Sequence, residues 1–471
     1  MKSERLARNL DLTEQTMNRR DFLGILAGAS AALASPHFLL AAPEDSSAAR
    51  PPSFIIIFAD DLGYQDLGCF GSPLIKTPCL DRMAAEGMKF TDFHVAAPVC
   101  TPSRAALMTG CYAQRVGLPN VLFPDAKIGI NADEISIPEL LKTRGYATAC
   151  VGKWHLGHLP PFLPTRHGFD SYFGIPYSND MRPTPLMRDE KVVEESAIQE
   201  TLTERYTEEA LRFITENRNR PFFLYLAHTM PHVPLHVSER FKGKSKRGLY
   251  GDVVECIDWS TGQILDTLRK LNLDGDTLIA FTSDNGPWLT RGEHGGSALP
   301  LRDGKGTTYE GGMRVPCIVR CTGKIPAGSV CSEMVTAMDF CPTFARLGGA
   351  KMPTDRIIDG KNIWPLMAGM KGAKGPHEAF FYYRSYGLEA VRSGKWKLIL
   401  ERSERRKETD DRKIPEALYD LHADIGETRD VSAEHPEVVK RLRGLAERCR
   451  EDLGDSNQDR PGKNRRPAGR V

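Results

Sequence analysis

Four short stretches of the chain share one pattern, in which a run of apolar residues ends abruptly at polar ones. The runs are at residues 54–59, 148–151, 222–227 and 277–282. Their near-continuous hydrophobicity predicts strands buried on both faces. Helix-like stretches, among them 137–144 and 250–271, lie between them. This alternation predicts an α/β fold with a large, mostly parallel central sheet flanked by helices, where ligands bind beyond the carboxyl ends of the strands.

The pattern changes after about residue 376, where the apolar runs become shorter. Runs at 379–383, 388–391 and 396–400 predict a small antiparallel sheet. A helix is predicted from about Pro436, because Val438, Leu442 and Leu445 recur at helical spacing. We therefore expect a main domain over residues 50–375 and a C-terminal subdomain over 376–455. Residues 456–471, rich in Arg, Lys, Pro and Gly, are expected to form a disordered basic tail.

The first 42 residues have a different composition. Arg19 and Arg20 precede an Ala-rich apolar run that opens at Phe22 and ends in small residues before Pro43. This order indicates a signal peptide and linker rather than a transmembrane helix, and residues 18–23 resemble a twin-arginine signal. An amphipathic amino-terminal helix is the alternative. We expect a periplasmic or extracellular protein without a stable membrane span.

Overall charge and cysteine content exclude several classes of protein. The 63 basic and 61 acidic residues nearly cancel, so no global field directs the chain to nucleic acid or to an anionic membrane. The eleven cysteines are dispersed and contain no CxxC zinc pair. An acidic substrate must therefore be held by local charges.

One cysteine stands at the predicted start of a helix. Cys100 is followed by Thr101, Pro102, Ser103 and Arg104, and then by good helix formers. Pro102 favours a helix start, and a helix amino terminus binds anions and favours negative charge on a cysteine. The same pattern fits a buried structural cysteine, so the residues alone leave both interpretations open.

Oxygen-bearing side chains follow two of the predicted strands. Asp60 and Asp61 end the first, and Asp284 and Asn285 end the fourth. Adjacent carboxylates at the end of a buried strand repel each other unless a cation neutralises them. Oxygen donors without a cluster of His or Cys favour a hard cation, calcium or magnesium, over zinc. Two solvated turns are the alternative for either pair alone.

Basic side chains occur in the segments that are expected to converge at this edge of the sheet. Such a ring of cations facing a metal suits a multiply oxygenated anion such as sulfate or phosphate. Lys305 lies in the glycine-rich segment 304–312, which permits the backbone to approach a ligand. The basic residues are Arg104, Lys153, His155, His232 and Lys305.

These motifs resemble those of the type I sulfatases of the alkaline phosphatase-like superfamily. Residues 100–110 look like the family's Cys-x-Pro-Ser-Arg signature with its following helix, and residues 145–155 resemble its second signature. The similarity extends from about Ser53 to at least Leu442 and is strongest to the arylsulfatase A and N-acetylgalactosamine-6-sulfatase branch. It implies hydrolysis of a sulfate monoester, either a sulfated carbohydrate or an aryl sulfate, on an alkaline phosphatase-like fold.

The resemblance also implies cofactors and a partner. In this family a maturation enzyme oxidises the motif cysteine to formylglycine, whose hydrate is the nucleophile. Carried over residue by residue, the ligands of one calcium ion are implied to be Asp60, Asp61, the modified Cys100, Asp284 and Asn285.

The substrate contacts come from the same resemblance. His232 is implied to stand beside the leaving oxygen, and His155 to be the base that helps to release sulfate, whereas His228 does not align. The residues implied to hold the formylglycine or the sulfate are Arg104, Lys153, Lys305 and, as a further contact, Ser178.

Other functions stay open at this point. A phosphatase or phosphonate hydrolase of the same superfamily shares the fold, but typically uses two transition metals and a Thr or Ser nucleophile. A non-catalytic binding protein is disfavoured, because every assignable motif position is intact.

The expected partner molecules are a sulfated small molecule or polysaccharide and the maturation enzyme. Arg182, Trp288 and His294 lie in loops that are candidates for a sugar pocket.

Overall fold

The computed structural model describes residues 50–407 and 410–471. The predicted signal peptide and linker, residues 1–42, lie outside the described residues. Among the described helices, none has both the length and the apolar character needed to cross a bilayer.

Strands and helices alternate along the described chain. The α-helices are α1 Pro78–Ala85, α2 Cys100–Thr109, α3 Ile137–Lys142, α4 Leu202–Glu216, α5 Leu249–Lys270, α6 Glu310–Met313, α7 Phe340–Leu347, α8 Trp364–Met367 and α9 Pro436–Leu453. The strands are β1 Ser53–Ala59, β2 Met88–Phe90, β3 Phe93–His94, β4 Ile128–Gly129, β5 Ala147–Gly152, β6 Ser171–Gly174, β7 Leu186–Arg188, β8 Lys191–Glu194, β9 Phe222–Ala227, β10 Thr277–Ser283, β11 Cys317–Arg320, β12 Ser329–Cys331, β13 Val335–Thr336, β14 Phe380–Arg384, β15 Gly387–Ser393, β16 Trp396–Ile399, β17 Arg402–Lys407, β18 Asp410–Ile414, β19 Ala417–Asp420, β20 Gly454–Asp455, β21 Arg460–Pro461 and β22 Gly469–Arg470.

A ten-stranded mixed sheet lies at the centre, in the order β12-β2-β11-β10-β1-β9-β5-β6-β7-β8. The expected α/β fold is confirmed, and the four strands predicted from hydrophobic runs are β1, β5, β9 and β10. These strands and β6 run parallel, whereas β11, β7 and β8 join the sheet through antiparallel pairs. The sheet is therefore parallel at its centre, with antiparallel pairs on either side of the centre and a parallel β12–β2 pair at one edge.

The continuous hydrophobicity of β1 follows from burial on both faces. Phe54, Ile56 and Phe58 belong to the core on one side of the sheet, and Ile55 and Ile57 belong to the core on the other. All five side chains are fully buried. Burying each stabilises the fold by about 1.5–3 kcal/mol, so a polar residue within this run would be strongly disfavoured.

The predicted small antiparallel sheet is also confirmed, with the order β14-β15-β16-β19. Helix α9 packs on it through Leu442, Leu445 and Ala446. These side chains belong to the same hydrophobic cluster as one face of the central sheet, so the two sheets share a core.

The expectation of a disordered tail at residues 456–471 is wrong. Gly469 and Arg470 pair with Gly129 and Ile128 in a two-stranded sheet. The guanidinium of Arg466 donates through Nε and Nη2 to the two carboxylate oxygens of Glu134, at 2.6 and 2.8 Å. The composition correctly indicates that this segment has no core of its own, but ion pairs and backbone pairing attach it to the main domain.

The parallel register brings four strand ends to one edge of the sheet. Ala59 lies opposite Ser283, and Gly152 lies opposite Ala227. At Gly152 the φ angle is +110°, and a Cβ atom there would lie 1.8 Å from the carbonyl oxygen of Ala227. Only glycine permits this approach, which turns the chain at Lys153.

Candidate active site

The structure brings the predicted site residues together at this edge of the sheet. All of them are buried except Lys305, whose side chain is 9% exposed. The group comprises Asp60, Asp61, Cys100, Arg104, Lys153, His155, Ser178, His232, Asp284, Asn285 and Lys305.

Three carboxylates form the centre of the group. One oxygen from each of Asp60, Asp61 and Asp284 lies within 4.8 Å of the others. The Asn285 amide donates from Nδ2 to Asp61 Oδ1 at 2.8 Å. Asp60 Oδ1 and Asn285 Oδ1 are buried and have no hydrogen-bond partner among the described residues. Buried polar atoms without a partner are rare in native proteins, so two such oxygens among three carboxylates fit a bound hard cation.

The pKa values of Asp284 and Asp60 in this cluster are shifted in opposite directions. Burial raises the pKa of the Asp284 carboxyl, the charge on Asp60 adds to this effect, and Arg104 opposes it. Burial also acts to raise the pKa of Asp60, but Lys153, His232 and Arg104 outweigh it and hold that pKa well below its usual range. A cation beside Asp284 would favour its ionised form, so the donor set and its electrostatics both suit a hard cation.

A second group of potential ligands has a different character. Asp92, His94 and Glu310 also lie within 4.8 Å of one another. Here Arg392 donates to both oxygens of Asp92, and Glu310 contacts His94 Nε2 at 3.1 Å and Lys397 Nζ at 3.0 Å. Each carboxylate oxygen of this group has a partner, so the group is an internal ion-pair network.

Cys100 begins α2, as its position before Pro102 predicts. Its sulfur lies within 4.8 Å of ligand atoms of Asp60 and His232. Burial raises the pKa of the Cys100 thiol to about 11, although the ammonium groups of Lys153 and Lys305 oppose the shift. In the unmodified residue, burial thus outweighs the helix terminus and the nearby cations in its effect on the thiol pKa.

Arg104 lies one helical turn after Cys100 and points into the same cluster. It donates to Asp284 Oδ2 from Nε at 3.1 Å and from Nη2 at 2.8 Å. Nη1 donates to the carbonyl of Lys153 at 3.0 Å and to the Tyr225 hydroxyl at 3.3 Å. Tyr225 was not found from the sequence, because a tyrosine within a buried strand has no distinguishing pattern.

The two lysines flank the carboxylates. Lys153 Nζ donates to Asp60 Oδ2 at 2.6 Å and to Ser178 Oγ at 3.2 Å. Lys305 Nζ donates to Asp61 Oδ2 at 2.8 Å. Both ammonium groups therefore face the space around the carboxylates, where an anion would meet them.

His155 has a tautomer that its surroundings define. Its Nε2 lies 2.9 Å from the carbonyl of Leu122, which only accepts hydrogen bonds, so Nε2 carries the proton. Nδ1 is buried without a partner. Burial, with a contribution from Lys153, holds the His155 pKa well below its usual value.

Two residues of the site have a left-handed backbone. The φ angle is +62° at His155 and +67° at Asp61. Such left-handed conformations are strained for these residues and cluster at functional sites.

His232 also contacts this cluster. Its Nδ1 lies 2.6 Å from the carbonyl of Val233, and its Nε2 lies 3.7 Å from Asp61 Oδ2. Burial lowers the His232 pKa, while Asp61 and Asp60 oppose this shift. His228 is different, because both of its ring nitrogens are buried without a partner and burial alone lowers its pKa to about 3.

Glycines fix the segment that carries Lys305. Gly286 donates its N–H to the carbonyl of Gly312 at 3.0 Å, and a Cβ on Gly286 would lie 1.8 Å from the Gly311 carbonyl oxygen. The glycine-rich segment 304–312 thus packs backbone to backbone against the turn after Asn285.

The C-terminal sheet anchors the same segment. Lys397 Nζ donates to the Thr308 carbonyl at 2.8 Å, and the Thr308 hydroxyl donates to Glu389 Oε2 at 2.7 Å. The backbone N–H of Glu310 donates to Glu427 Oε2 at 2.7 Å. These partners were missed from the sequence, because they lie 81 to 117 residues from the segment that they hold.

Comparisons with known proteins agree with this geometry. The Sulfatase family model matches residues 52–350, and the model for the C-terminal part of N-sulphoglucosamine sulphohydrolase matches 302–452. The chain is 44% identical over 379 residues to N-acetylgalactosamine-6-sulfatase of Sus scrofa, covering 75% of this chain and 72% of that protein. It is 38% identical over 456 residues to arylsulfatase A of Homo sapiens, covering 86% and 89%.

A solved structure resembles the chain over most of its length. The crystal structure of Ps i-CgsB in complex with k-i-k-neocarrahexaose has a TM-score of 0.75 and 34% identity, and the match covers 85% of this chain and 92% of that one. The similarity expected from the motifs is thus confirmed. By the length of the family match and the identity to these relatives, the chain belongs to the sulfatase family of sulfuric ester hydrolases.

Proposed function

We propose that the chain hydrolyses a sulfate monoester of a carbohydrate, with one calcium ion and a formylglycine made from Cys100 by a maturation enzyme. The observation that carries this proposal is the buried cluster in which Cys100 adjoins three carboxylates, two unpartnered oxygens and the cations of Lys153 and Lys305. The carbohydrate part is supported by the names of two relatives, an N-acetylgalactosamine-6-sulfatase and a protein in complex with k-i-k-neocarrahexaose.

The formylglycine would supply a nucleophilic hydroxyl on residue 100, and the calcium ion would supply a positive charge beside the sulfate. Arg104 donates to Asp284 and, in this proposal, orients the formylglycine at residue 100. In this proposal residues 50–375 form the catalytic domain, and residues 376–455 form the subdomain that anchors Lys305. The proposed calcium ligands are Asp60, Asp61, residue 100, Asp284 and Asn285.

The remaining side chains bind the substrate and move protons. Lys153, Lys305 and Ser178 bind sulfate oxygens, and a bound sulfate replaces part of the contact that each lysine now makes with a carboxylate. His232 donates a proton from Nε2 to the departing sugar oxygen. His155 accepts a proton on its free Nδ1 when sulfate is released.

A matched pair of esters tests the proposed reaction. Purified protein with a measured content of formylglycine is incubated with 4-nitrophenyl sulfate, 4-nitrophenyl phosphate and a set of sulfated sugars. We expect release of sulfate from the sulfate esters, with a much lower kcat/KM for the phosphate ester. A higher kcat/KM for phosphate would favour the phosphatase alternative, and no turnover of any ester would favour a binding protein.

Removal of the metal gives a separate prediction. Exhaustive chelation is expected to abolish activity, and calcium but not zinc is expected to restore it. Calcium at about 100 times its Kd is expected to stabilise the fold by about 2.7 kcal/mol, measured as a rise in the free energy of unfolding.

The Asp61→Asn variant removes one charge from the proposed ligand set and is expected to weaken calcium binding in calorimetry. Asp66→Asn is the matched control, because Asp66 is also a buried carboxylate but bonds to Tyr250, Gly63 and Ser297 instead. Full activity in protein shown by elemental analysis to be metal-free would contradict the calcium proposal.

The proposal includes export of the folded protein through a twin-arginine signal. All eleven cysteines are unpaired, so folding does not depend on disulfide formation in an oxidising compartment. This supports folding before export, as a twin-arginine signal requires. Changing Arg19 and Arg20 to Lys is expected to retain the protein in the cytoplasm, as seen in cell fractions. An unchanged periplasmic yield would contradict this route.

A further inference from the structure

A partly exposed tryptophan connects the sulfate site to the protein surface. The Trp288 ring lies 5.5 Å from the His232 ring, measured between centroids. Lys305 Nζ lies 4.4 Å from the centroid of the same indole. Trp288 therefore adjoins both the residue proposed to face the leaving oxygen and a residue proposed to bind sulfate. The sugar that carries the ester must lie near this ring.

An arginine stacks on this tryptophan and has no other side-chain partner. Arg291 is exposed, and its Cζ lies 3.8 Å from the Trp288 ring centroid. Within residues 50–407 and 410–471, its guanidinium makes no hydrogen bond or ion pair. A stacked guanidinium keeps its in-plane N–H donors free, in the fork geometry that binds a carboxylate or a sulfate through two hydrogen bonds.

The loop that carries this arginine is held in place. Arg247 donates to the carbonyls of Glu293 at 3.0 Å and Gly295 at 2.8 Å. The backbone N–H of Arg291 donates to the Trp288 carbonyl at 3.0 Å. Because stacking and backbone bonds fix both the loop and the side chain, little conformational entropy is lost when the guanidinium binds an anion.

The cations inside the site are already paired. Lys153 and Lys305 contact Asp60 and Asp61, and Arg104 contacts Asp284. Arg291 differs because its charge has no carboxylate partner in the described part of the chain. We infer that Arg291 is a specificity-determining residue that binds a second anionic group, a sulfate or a carboxylate, on the sugar that bears the scissile ester or on its neighbour. The preferred substrate is then a polyanionic carbohydrate, an inference that rests on the proposed function.

Binding measurements test this inference without requiring turnover. Three ligands share one sulfated sugar: the first is otherwise neutral, the second carries another sulfate, and the third is linked to a uronic acid. Their Kd values are measured by calorimetry in a Cys100→Ala background, with and without Arg291→Ala. We expect Arg291→Ala to weaken binding of one or both anionic ligands by about 5- to 20-fold, the range for a two-point arginine contact in partial contact with water. Binding of the neutral ligand is expected to change less than about twofold.

The matched control is Arg240→Ala. Arg240 is also exposed and stacks on a tryptophan, Trp259, at 4.5 Å, but it lies outside the site. This variant is expected to bind all three ligands as the parent protein does. Arg291→Lys keeps the charge but loses the planar fork, and is expected to recover only part of the lost affinity.

The outcomes separate the two proposals. Equal weakening of all three ligands by Arg291→Ala, or no weakening of either anionic ligand, would overturn the inference about Arg291. A larger loss for the disulfated ligand identifies sulfate as the second group, and a larger loss for the uronate identifies a carboxylate. Absence of turnover of all three sulfated sugars and of 4-nitrophenyl sulfate by the mature enzyme would overturn the proposed function, while the binding data still decide the role of Arg291.

Discussion

Replacing Cys100 with Ala is expected to lower kcat for a sulfate ester by about 10⁴- to 10⁶-fold, the scale seen when an enzyme loses its nucleophile. Asp60 and His232 have ligand atoms within 4.8 Å of the Cys100 sulfur, and Lys153 and Lys305 are each engaged with an aspartate. None of these side chains carries a hydroxyl or thiol that could take the place of residue 100. The loss is expected in kcat, because the sulfate contacts of the two lysines remain.

The control for this variant is Cys341→Ala. Cys341 is also buried and unpaired, but it lies in α7, away from the carboxylate cluster. Its replacement is expected to leave activity unchanged, with destabilisation of about 1 kcal/mol from the removed side chain. Circular dichroism and thermal unfolding of both variants verify that they are folded. Activity of folded Cys100→Ala within tenfold of the parent enzyme would contradict the assignment of the nucleophile.

Replacing His232 with Ala is expected to lower kcat/KM for a sugar sulfate by about 10²- to 10⁴-fold, the usual contribution of a general acid. A sugar alkoxide is a poor leaving group and requires a proton, whereas a nitrophenolate departs readily without one. The loss for 4-nitrophenyl sulfate is therefore expected to be much smaller. Nε2 is the nitrogen available for this transfer, because Nδ1 contacts the Val233 carbonyl.

Burial lowers the His232 pKa, and the negative charges of Asp61 and Asp60 oppose this shift. An anionic substrate adds negative charge beside the ring and so favours the protonated form that the reaction needs.

Lys153→Met is the comparison variant, because both classes of ester use the proposed contact between Lys153 and the sulfate group. It is expected to lower both values of kcat/KM to a similar extent. Equal losses for the two esters in His232→Ala would leave this residue as a sulfate ligand rather than an acid.

The core of the sheet and the charged cluster could be predicted from the sequence because both leave local signals. Strand β1 is a continuous apolar run, and burial on both faces requires that run. Asp60 and Asp284 each follow such a strand directly, and parallel strands place their ends at one edge. The positions of Asp60 and Asp284 directly after these strands were thus sufficient to predict that the two side chains lie close together.

Contacts that depend on tertiary packing left no such signal. Lys397 supports Thr308 from 89 residues away, and the attachment of Arg466 to Glu134 spans 332 residues. At Cys100 the sequence leaves a buried structural cysteine and an anion-binding position both open, because the depth of burial is visible only in the structure. Trp288 stood out as a candidate, but its contacts with Lys305 and Arg291 are visible only in the structure.

The central claim is that residue 100 reacts as formylglycine. Protein is prepared with a graded content of the modification, by varying co-expression of the maturation enzyme. The fraction of residue 100 present as formylglycine is measured by mass spectrometry of the peptide that contains it, and kcat for one sulfate ester is measured on the same samples. The account predicts that kcat rises in proportion to that fraction and extrapolates to zero at zero formylglycine. Full activity in a sample whose peptide contains only unmodified cysteine would contradict it.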